Sequence, residues 1–393
     1  MIEQLHICWV DPDARILSIR FSSETEIAGI DVAISLDGVK WTRCEVERLD
    51  DMNNLVRYRS FADAGSADNS LSYRVLQEEK VLAERQVHLL PRNGETFKCI
   101  YFADTGLSGR TDGNADGTEA IYEEIERKSP DILLGGGDYA YANRDDRFDR
   151  VGDAVDEWFR QAEGMISRFP FFAQYGNHEI LLTERYEDWA PRFDHPQGFD
   201  DQKCYSFDVG TAHIISFFTG RPRPQKHHLE WLENDLRDAK AKGEQWIIVY
   251  THEPVFGHGF SHPSSFMVSS SLGALCERMG VDLVLSAHDQ SYERTYPVSG
   301  VPHDVRATSK HPSSYKRGEG VIFAKVSPSG KRSEIGHTFS KFQCPQHAFI
   351  ASRNDTRHHF AELEIGKDRL EFKCLYYESE SETFGIEDSF TIH

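Results

Sequence analysis

The sequence predicts an α/β domain preceded by a small antiparallel β-sandwich. Three observations carry that prediction. Residues 1–92 show short runs of alternating apolar and polar residues with no helical periodicity. From Thr96 onward, apolar strand-like runs alternate with amphipathic stretches. Short polar motifs close several runs of that second set. At 393 residues and 39% hydrophobic content, the chain is long enough for two domains, one of them large.

In the first region, residues 14–21, 29–35, 38–46, 54–60, 70–76 and 81–89 read as strands. Asp37-Gly38 lies between two of them and is a hairpin signal. The expectation is a sandwich of about seven strands, with Pro91-Arg-Asn-Gly94 as the boundary and domains over residues 1–92 and 97–393. In the second region the strand-like runs are 98–103, 132–134, 169–173, 212–218, 245–250 and 281–286. Between them, residues 153–169 place Val155, Trp158, Phe159, Ala162, Met165 and Ile166 on one helical face. Residues 225–242 do the same with Leu229, Leu232, Leu236 and Ala239. Residues 297–358 read as irregular apart from a strand at 320–326. Alternating segments at 360–365, 370–377 and 388–392 close the chain. Strands alternating with helices place functional loops at the carboxyl ends of the strands.

A formal charge of −20, from 64 acidic and 44 basic residues, argues against a general nucleic-acid binder, which would present a basic face. No segment approaches the ~18 uninterrupted apolar residues of a membrane helix. The first residues lack the basic-then-apolar pattern of a secretory leader. A cytoplasmic protein without membrane partners is expected, with a trimmed secreted precursor as the alternative; the oligomeric state is not legible. Seven cysteines, at positions 8, 44, 99, 204, 276, 344 and 374, form no C-x-x-C pair and read as reduced core residues.

The polar motifs are Asp104-Thr-Gly106, Gly137-Asp-Tyr-Ala-Tyr141, Gly176-Asn-His-Glu179, Thr251-His-Glu253 and Ala287-His-Asp-Gln290, the last followed by Ser291-Tyr-Glu-Arg294. They supply carboxylate, phenol, amide and imidazole donors, the mixture that holds two neighbouring metal ions. One aspartate after a strand is more often a turn former, and one histidine is usually a satisfied polar residue. Five such motifs in order, each at the end of a run, outweigh those readings.

The set resembles the calcineurin-like metallophosphoesterases and, within them, the purple acid phosphatases. The wider superfamily begins with Asp-x-His, where this chain has Asp104-Thr-Gly106. A tyrosine three residues after the second aspartate, Tyr141, makes up the missing donor in the purple acid phosphatase manner. Tyr139 reads as packing. The resemblance implies a four-layer αββα catalytic sandwich behind a fibronectin III/Ig-like β-sandwich. It implies a first metal, Fe(III), on Asp104, Asp138, Tyr141 and Gln290, and a second, divalent Fe, Zn or Mn, on Asp138, Asn177, His252 and His288. The implied reaction is in-line attack of a metal-bound hydroxide on a small-molecule phosphomonoester. His178 is implied to contact the phosphate or protonate the leaving alkoxide. His262 fits the spacing of a further family histidine, with His258 as second choice.

One departure is serious. The family's last motif is Gly-His-x-His, and this chain has Gln290 at the second histidine. A glutamine oxygen is a harder but weaker donor. Two other functions therefore stay open. One is a phosphodiesterase or nucleotide pyrophosphatase on the same core, its pocket shaped by Arg221-Pro-Arg223 and residues 297–358. The other is a non-catalytic binding protein with a degenerate metal site.

A second metal signal competes for notice. Asp112-Gly-Asn114-Ala-Asp116-Gly117, with Glu123, fits the calcium-loop pattern D-x-N-x-D-G-x5-E. No helix precedes it, and Glu119 occupies the loop's usual apolar position. The favoured reading is an acidic turn, with Asp116 as N-cap of a helix from Thr118 and Glu119 completing a capping box.

Overall fold

The computed structural model describes every residue except 66, 68, 69, 181–185, 221–223 and 244, so Arg221-Pro-Arg223 lies outside the described residues. Its first region consists of β1 (Ile2–Asp11), β2 (Ile16–Ser23), β3 (Ile30–Ser35), β4 (Thr42–Cys44), β5 (Val46–Met52), β6 (Leu55–Asp63), β7 (Ser70–Gln77) and β8 (Lys80–His88). These form two antiparallel sheets, in orders β1-β2-β6-β5 and β4-β3-β7-β8. Eight strands stand where about seven were expected, and β1 and β5 are the surprises. β1 is buried on both faces from Gln4 to Trp9, so it shows no alternation. Leu5, Ile7 and Trp9 enter the sandwich core, while the His6 ring lies 4.9 Å from that of Phe159 in the second region. β5 is the opposite case, largely exposed and rich in charge.

The second region continues with β9 (Phe97–Phe102), α1 (Thr118–Lys128), β10 (Ile132–Gly135), α2 (Val151–Ile166), β11 (Phe171–Ala173), α3 (Asn177–Ile180), α4 (Tyr186–Trp189), β12 (Gly198–Phe199), β13 (Cys204–Val209), β14 (Ala212–Ser216) and α5 (Lys226–Lys242). Then come β15 (Trp246–Tyr250), α6 (Phe266–Val268), α7 (Ala274–Met279), β16 (Leu283–Ser286), β17 (Tyr292–Thr295), β18 (Val298–Ser299), β19 (Arg306–Ala307), β20 (Ser314–Tyr315) and β21 (Ile322–Lys325). The chain closes with β22 (Ile350–Asn354), β23 (His358–Ile365), β24 (Leu370–Glu378) and β25 (Thr383–Ile392). One sheet has the order β11-β10-β9-β23-β24-β25-β20 and the other β12-β13-β14-β15-β16-β21-β17-β22.

The two sheets face each other. Tyr101, Leu134 and Phe172 of the first meet Phe207, Ile214, Ile248 and Leu285 of the second in one core, and the rings of Phe172 and Phe207 stack at 4.0 Å. Because successive strand residues point to opposite faces, Ile100, Phe102 and Leu133 turn outward onto Ile121 of α1 and Trp158, Phe159 and Met165 of α2. On the far side, Ile215, Val249 and Val284 pack against Leu232 and Leu236 of α5 and Leu275 of α7. The result is four layers, αββα. α2 stops at Ile166, short of the 169 expected, since Pro170 disfavours helical backbone at Phe169. The stretch read as irregular also holds β18, β19, β20 and β22, too short for a pattern to register. All seven cysteines are unpaired; five are buried, Cys44 packs partly buried against the sandwich core, and Cys344 is partly exposed. Among the described residues no helix is long and apolar enough to cross a membrane.

Candidate metal centre

β9, β10 and β11 run parallel in the first sheet, and β15 and β16 run parallel in the second. Their carboxyl ends meet, and the loops that leave them carry the five motifs. Those loops are sharply turned. Asp104, Asp138, Tyr141 and His288 have φ of +53°, +57°, +50° and +72°, a left-handed backbone that is uncommon outside glycine and concentrates at functional sites. The Asp138 and Asn177 loops also touch backbone to backbone. A Cβ on Gly137 would lie 2.4 Å from the Gly176 nitrogen.

Four donors converge on one side. His252 Nε2 lies 3.2 Å from Asp138 Oδ2, 3.3 Å from Asn177 Oδ1 and 3.1 Å from His288 Nδ1. His252 Nδ1 is 2.8 Å from the Gly136 carbonyl, to which it donates, and this turns Nε2 inward. A partner on the outer nitrogen is the usual orienting contact of a metal-ligating histidine. The Asp138, His252 and His288 donor atoms all lie within 4.8 Å of one another, on buried side chains.

On the other side, the Tyr141 hydroxyl donates to Asp104 Oδ1 at 2.6 Å. Asp104 Oδ2 accepts from Ser327 Oγ at 2.6 Å and from the His288 N–H at 2.9 Å. Gln290 Nε2 stands 3.3 Å from the Tyr141 oxygen and 3.5 Å from Asp104 Oδ1. Among the described residues, the buried Gln290 Oε1 has no hydrogen-bond partner. A buried orphan acceptor beside a carboxylate and a phenol is a donor set that fits a hard cation.

The electrostatics agree with that fit. Burial pushes the Asp104 carboxyl up, and Asp138 adds to this against the opposing pull of His252. Burial also acts to raise Asp138, but the charges of His252, His178 and His288 and the His252 hydrogen bond outweigh it and hold Asp138 well below the usual range. Burial would lower His252, yet Asp138 and Asp104 raise it to about 9. Burial, with the charges of Asp104 and Asp138, drives the Tyr141 phenol well up. Two carboxylates in a dry cleft therefore favour positive charge.

His178 is buried beside Tyr141, with ring centroids 4.2 Å apart. Its Nδ1 lies 2.7 Å from Asn143 Oδ1, and burial lowers its pKa to about 4. The His262 ring stacks on His288 at 4.3 Å. Both residues line a cavity of about 540 Å³ together with Glu253, Pro254 and Ser261. His258 is engaged elsewhere, with Nδ1 2.5 Å from Glu293 Oε1. Tyr139 is fully buried in the outer aromatic core.

Several groups that position the donors have no sequence signal of their own. Glu179 closes the Gly176-Asn-His-Glu179 motif, with no role implied for it by the residues around it. Its carboxylate accepts the N–H groups of Asp138, Tyr139 and Gly176 at 2.7, 2.8 and 2.8 Å, so it ties two ligand loops together. Lys331 lies 4.0 Å over the Tyr141 ring and pairs with Glu334 at 2.8 Å. Asn143 and Ser327 likewise belong to no pattern.

The Asp112–Glu123 segment does not resemble a calcium cage. Asp112 is bound by Arg110 at 3.0 and 2.7 Å, and Asp116 by His358 at 3.1 Å and Arg332 at 3.2 Å. The capping detail also needs correcting. Gly117, not Asp116, is the N-cap of α1, with no side-chain cap, because Asp116 is drawn to His358 and Arg332. Glu119 accepts from Ser108 Oγ at 3.2 Å.

The sequence matches the family model described as calcineurin-like phosphoesterase over residues 97–292. Acid phosphatase type 7 from Homo sapiens is 33% identical over 224 residues, covering 51% of this chain and 48% of that protein. Purple acid phosphatase 21 from Arabidopsis thaliana is 27% identical over 265 residues, covering 64% of this chain and 55% of that protein. The chain thus spans about half the length of the curated relatives it matches. The solved purple acid phosphatase PPD1 from yellow lupin (Lupinus luteus) seeds superposes with a TM-score of 0.82 at 18% identity, over 100% of this chain and 74% of that one. At that identity the likeness is one of fold.

Proposed function

Because the chain belongs to the calcineurin-like phosphoesterases as a purple acid phosphatase-like member, we propose that it hydrolyses small-molecule phosphomonoesters with the help of two cations. The observation that carries this is the convergence of Asp138, Asn177 and His288 on His252 Nε2, at 3.2, 3.3 and 3.1 Å. Asp104, Asp138, Tyr141 and Gln290 would hold the first cation, and Asp138, Asn177, His252 and His288 the second. The phenol of Tyr141 is a hard donor that suits Fe(III), and the two imidazoles suit divalent Fe, Zn or Mn. When bound, such a pair would supply Lewis-acid polarisation of the phosphoryl group and an activated water.

The remaining work falls to side chains. Asp138 serves both halves, and the Glu179 carboxylate keeps its loop in register with that of Asn177. His178 donates from Nδ1 to Asn143 in the arrangement described, so its neutral ring accepts at Nε2. To protonate a leaving alkoxide the ring must carry both protons. His262, stacked on His288 beside the cavity, would meet the alcohol portion of an ester bound there.

The test is turnover of a nitrophenyl monoester and its bis-ester by the chain reconstituted with iron, zinc and manganese. The monoester is expected to be the better substrate, with at least two equivalents of metal bound. Less than one equivalent, or turnover confined to the diester, would overturn the reading. Assignment of Fe(III) predicts a visible phenolate-to-iron band that disappears in Tyr141→Phe.

A further inference from the structure

We propose that His258, Cys344 and His347 form a third cation site, for a soft divalent ion such as Zn²⁺, which clips the loop carrying His262 to the segment 342–349. Their donor atoms all lie within 4.8 Å of one another. Cys344 Sγ is 3.7 Å from His347 Nε2, and the His258 and His347 rings are 4.6 Å apart. Cys344-Pro-Gln-His347 places two of the three donors on one short turn, and His258 comes from the loop after β15.

A cluster of this kind is ordinarily just a polar surface contact. What lifts it above that is the contact behind His258. Its Nδ1 lies 2.5 Å from Oε1 of Glu293, and the His258 N–H donates to Oε2 of the same carboxylate at 3.1 Å. Glu293 is 2% exposed. A buried carboxylate on one ring nitrogen fixes the tautomer and presents the other nitrogen to a metal. One thiolate with two imidazoles is a donor set for zinc rather than for magnesium or calcium, and three protein donors leave a fourth position for water.

The backbone beneath the trio is already held in place. Gly259 bridges to Phe342, the Phe260 N–H donates to the Lys341 carbonyl at 3.0 Å, and the Gln343 N–H donates to the His258 carbonyl at 3.1 Å. Cys344 is partly exposed and His347 exposed, so an ion can reach them. A cation here would stiffen the turn from His258 to His262, and His262 stacks on His288.

The experiment uses the full chain and Co²⁺ as probe. A thiolate-to-cobalt charge-transfer band is expected in the wild type and in Asp138→Asn. It should vanish in Cys344→Ser, and cobalt affinity should fall about tenfold or more in His347→Ala. Absence of the band in the wild type, its survival in Cys344→Ser, or unchanged affinity in His347→Ala would each overturn the proposal. Alkylation of the unsubstituted chain is a check that needs no folded serine variant. Zn²⁺ should slow modification of Cys344 at least tenfold while leaving Cys44 unchanged, and equal rates with and without Zn²⁺ would also overturn it. Neither readout depends on phosphatase activity, so failure here and failure of the proposed function are separable.

Discussion

The two halves of the candidate centre are held in different ways. In the half built on Asp138, Asn177, His252 and His288, the inward nitrogen of His252 faces three other donors and its outer nitrogen is anchored to the Gly136 carbonyl. In the half built on Asp104, Tyr141 and Gln290, Asp104 and Tyr141 satisfy one another and Gln290 Oε1 is left over among the described residues. The phenol donates to Asp104, whose second oxygen is taken by Ser327 and the His288 N–H. To hold a cation there, Tyr141 would have to lose its phenolic proton and its short hydrogen bond to Asp104, and Gln290 would contribute only a neutral amide oxygen. The half on Asp104, Tyr141 and Gln290, called the first here, is therefore expected to be the weaker one.

The largest test is the residue both halves share. Asp138→Asn should cut nitrophenyl phosphate turnover by about a thousandfold or more, with loss of both cations, as read by kinetics and metal analysis. Two retained equivalents would remove Asp138 from its double role.

The next largest effect concerns the sheet under the second half. His213 on β14 pairs with Asp208 at 2.6 Å and Asp235 at 2.9 Å. Burial opposes its charge, but the two carboxylates raise its pKa from 6.5 to about 9. A raised folded-state value adds stability that is complete below pH 6.5 and is lost as pH climbs through about 9, an effect of about 3 kcal/mol. Denaturant unfolding across that range should show the decline in the wild type and a flatter profile in His213→Gln. Equal slopes would deny the pairing that role.

Gln290→His comes third. It should raise first-half affinity by about ten- to a hundredfold while the second half stays unchanged, as read by competition with a chelator. Equal gains in both halves would erase the contrast between them. Ser327→Ala is the smallest change. Loss of one hydrogen bond to Asp104 should alter first-half affinity by about two- to tenfold without touching the second, since such a bond contributes about 0.5–1.5 kcal/mol.

Most of the architecture was legible because its signals are local. Alternation marked the edges of β3 and β7, and 3.6-residue spacing marked α2 and α5, each within a few residues. β1 escaped because burial on both faces erased its alternation, and β5 because it buries little. The cap of α1 was misjudged for a related reason. Asp116 looks like an N-cap in a window of a few residues, but its partners His358 and Arg332 are more than 200 residues away.

By itself, the sequence determined the fold class, the order of the five loops and the chemical types of their donors, because period and motif are properties of neighbouring residues. Only the folded chain decided how those donors are oriented. Gly136 selects the nitrogen of His252, Ser327 reaches Asp104 across 223 positions, and Glu179 ties the loops of Asp138 and Asn177 together. It also separated His262, stacked on His288, from His258, drawn to Glu293. Such choices depend on hydrogen bonds between segments remote in sequence, and those bonds exist only once the two sheets have packed.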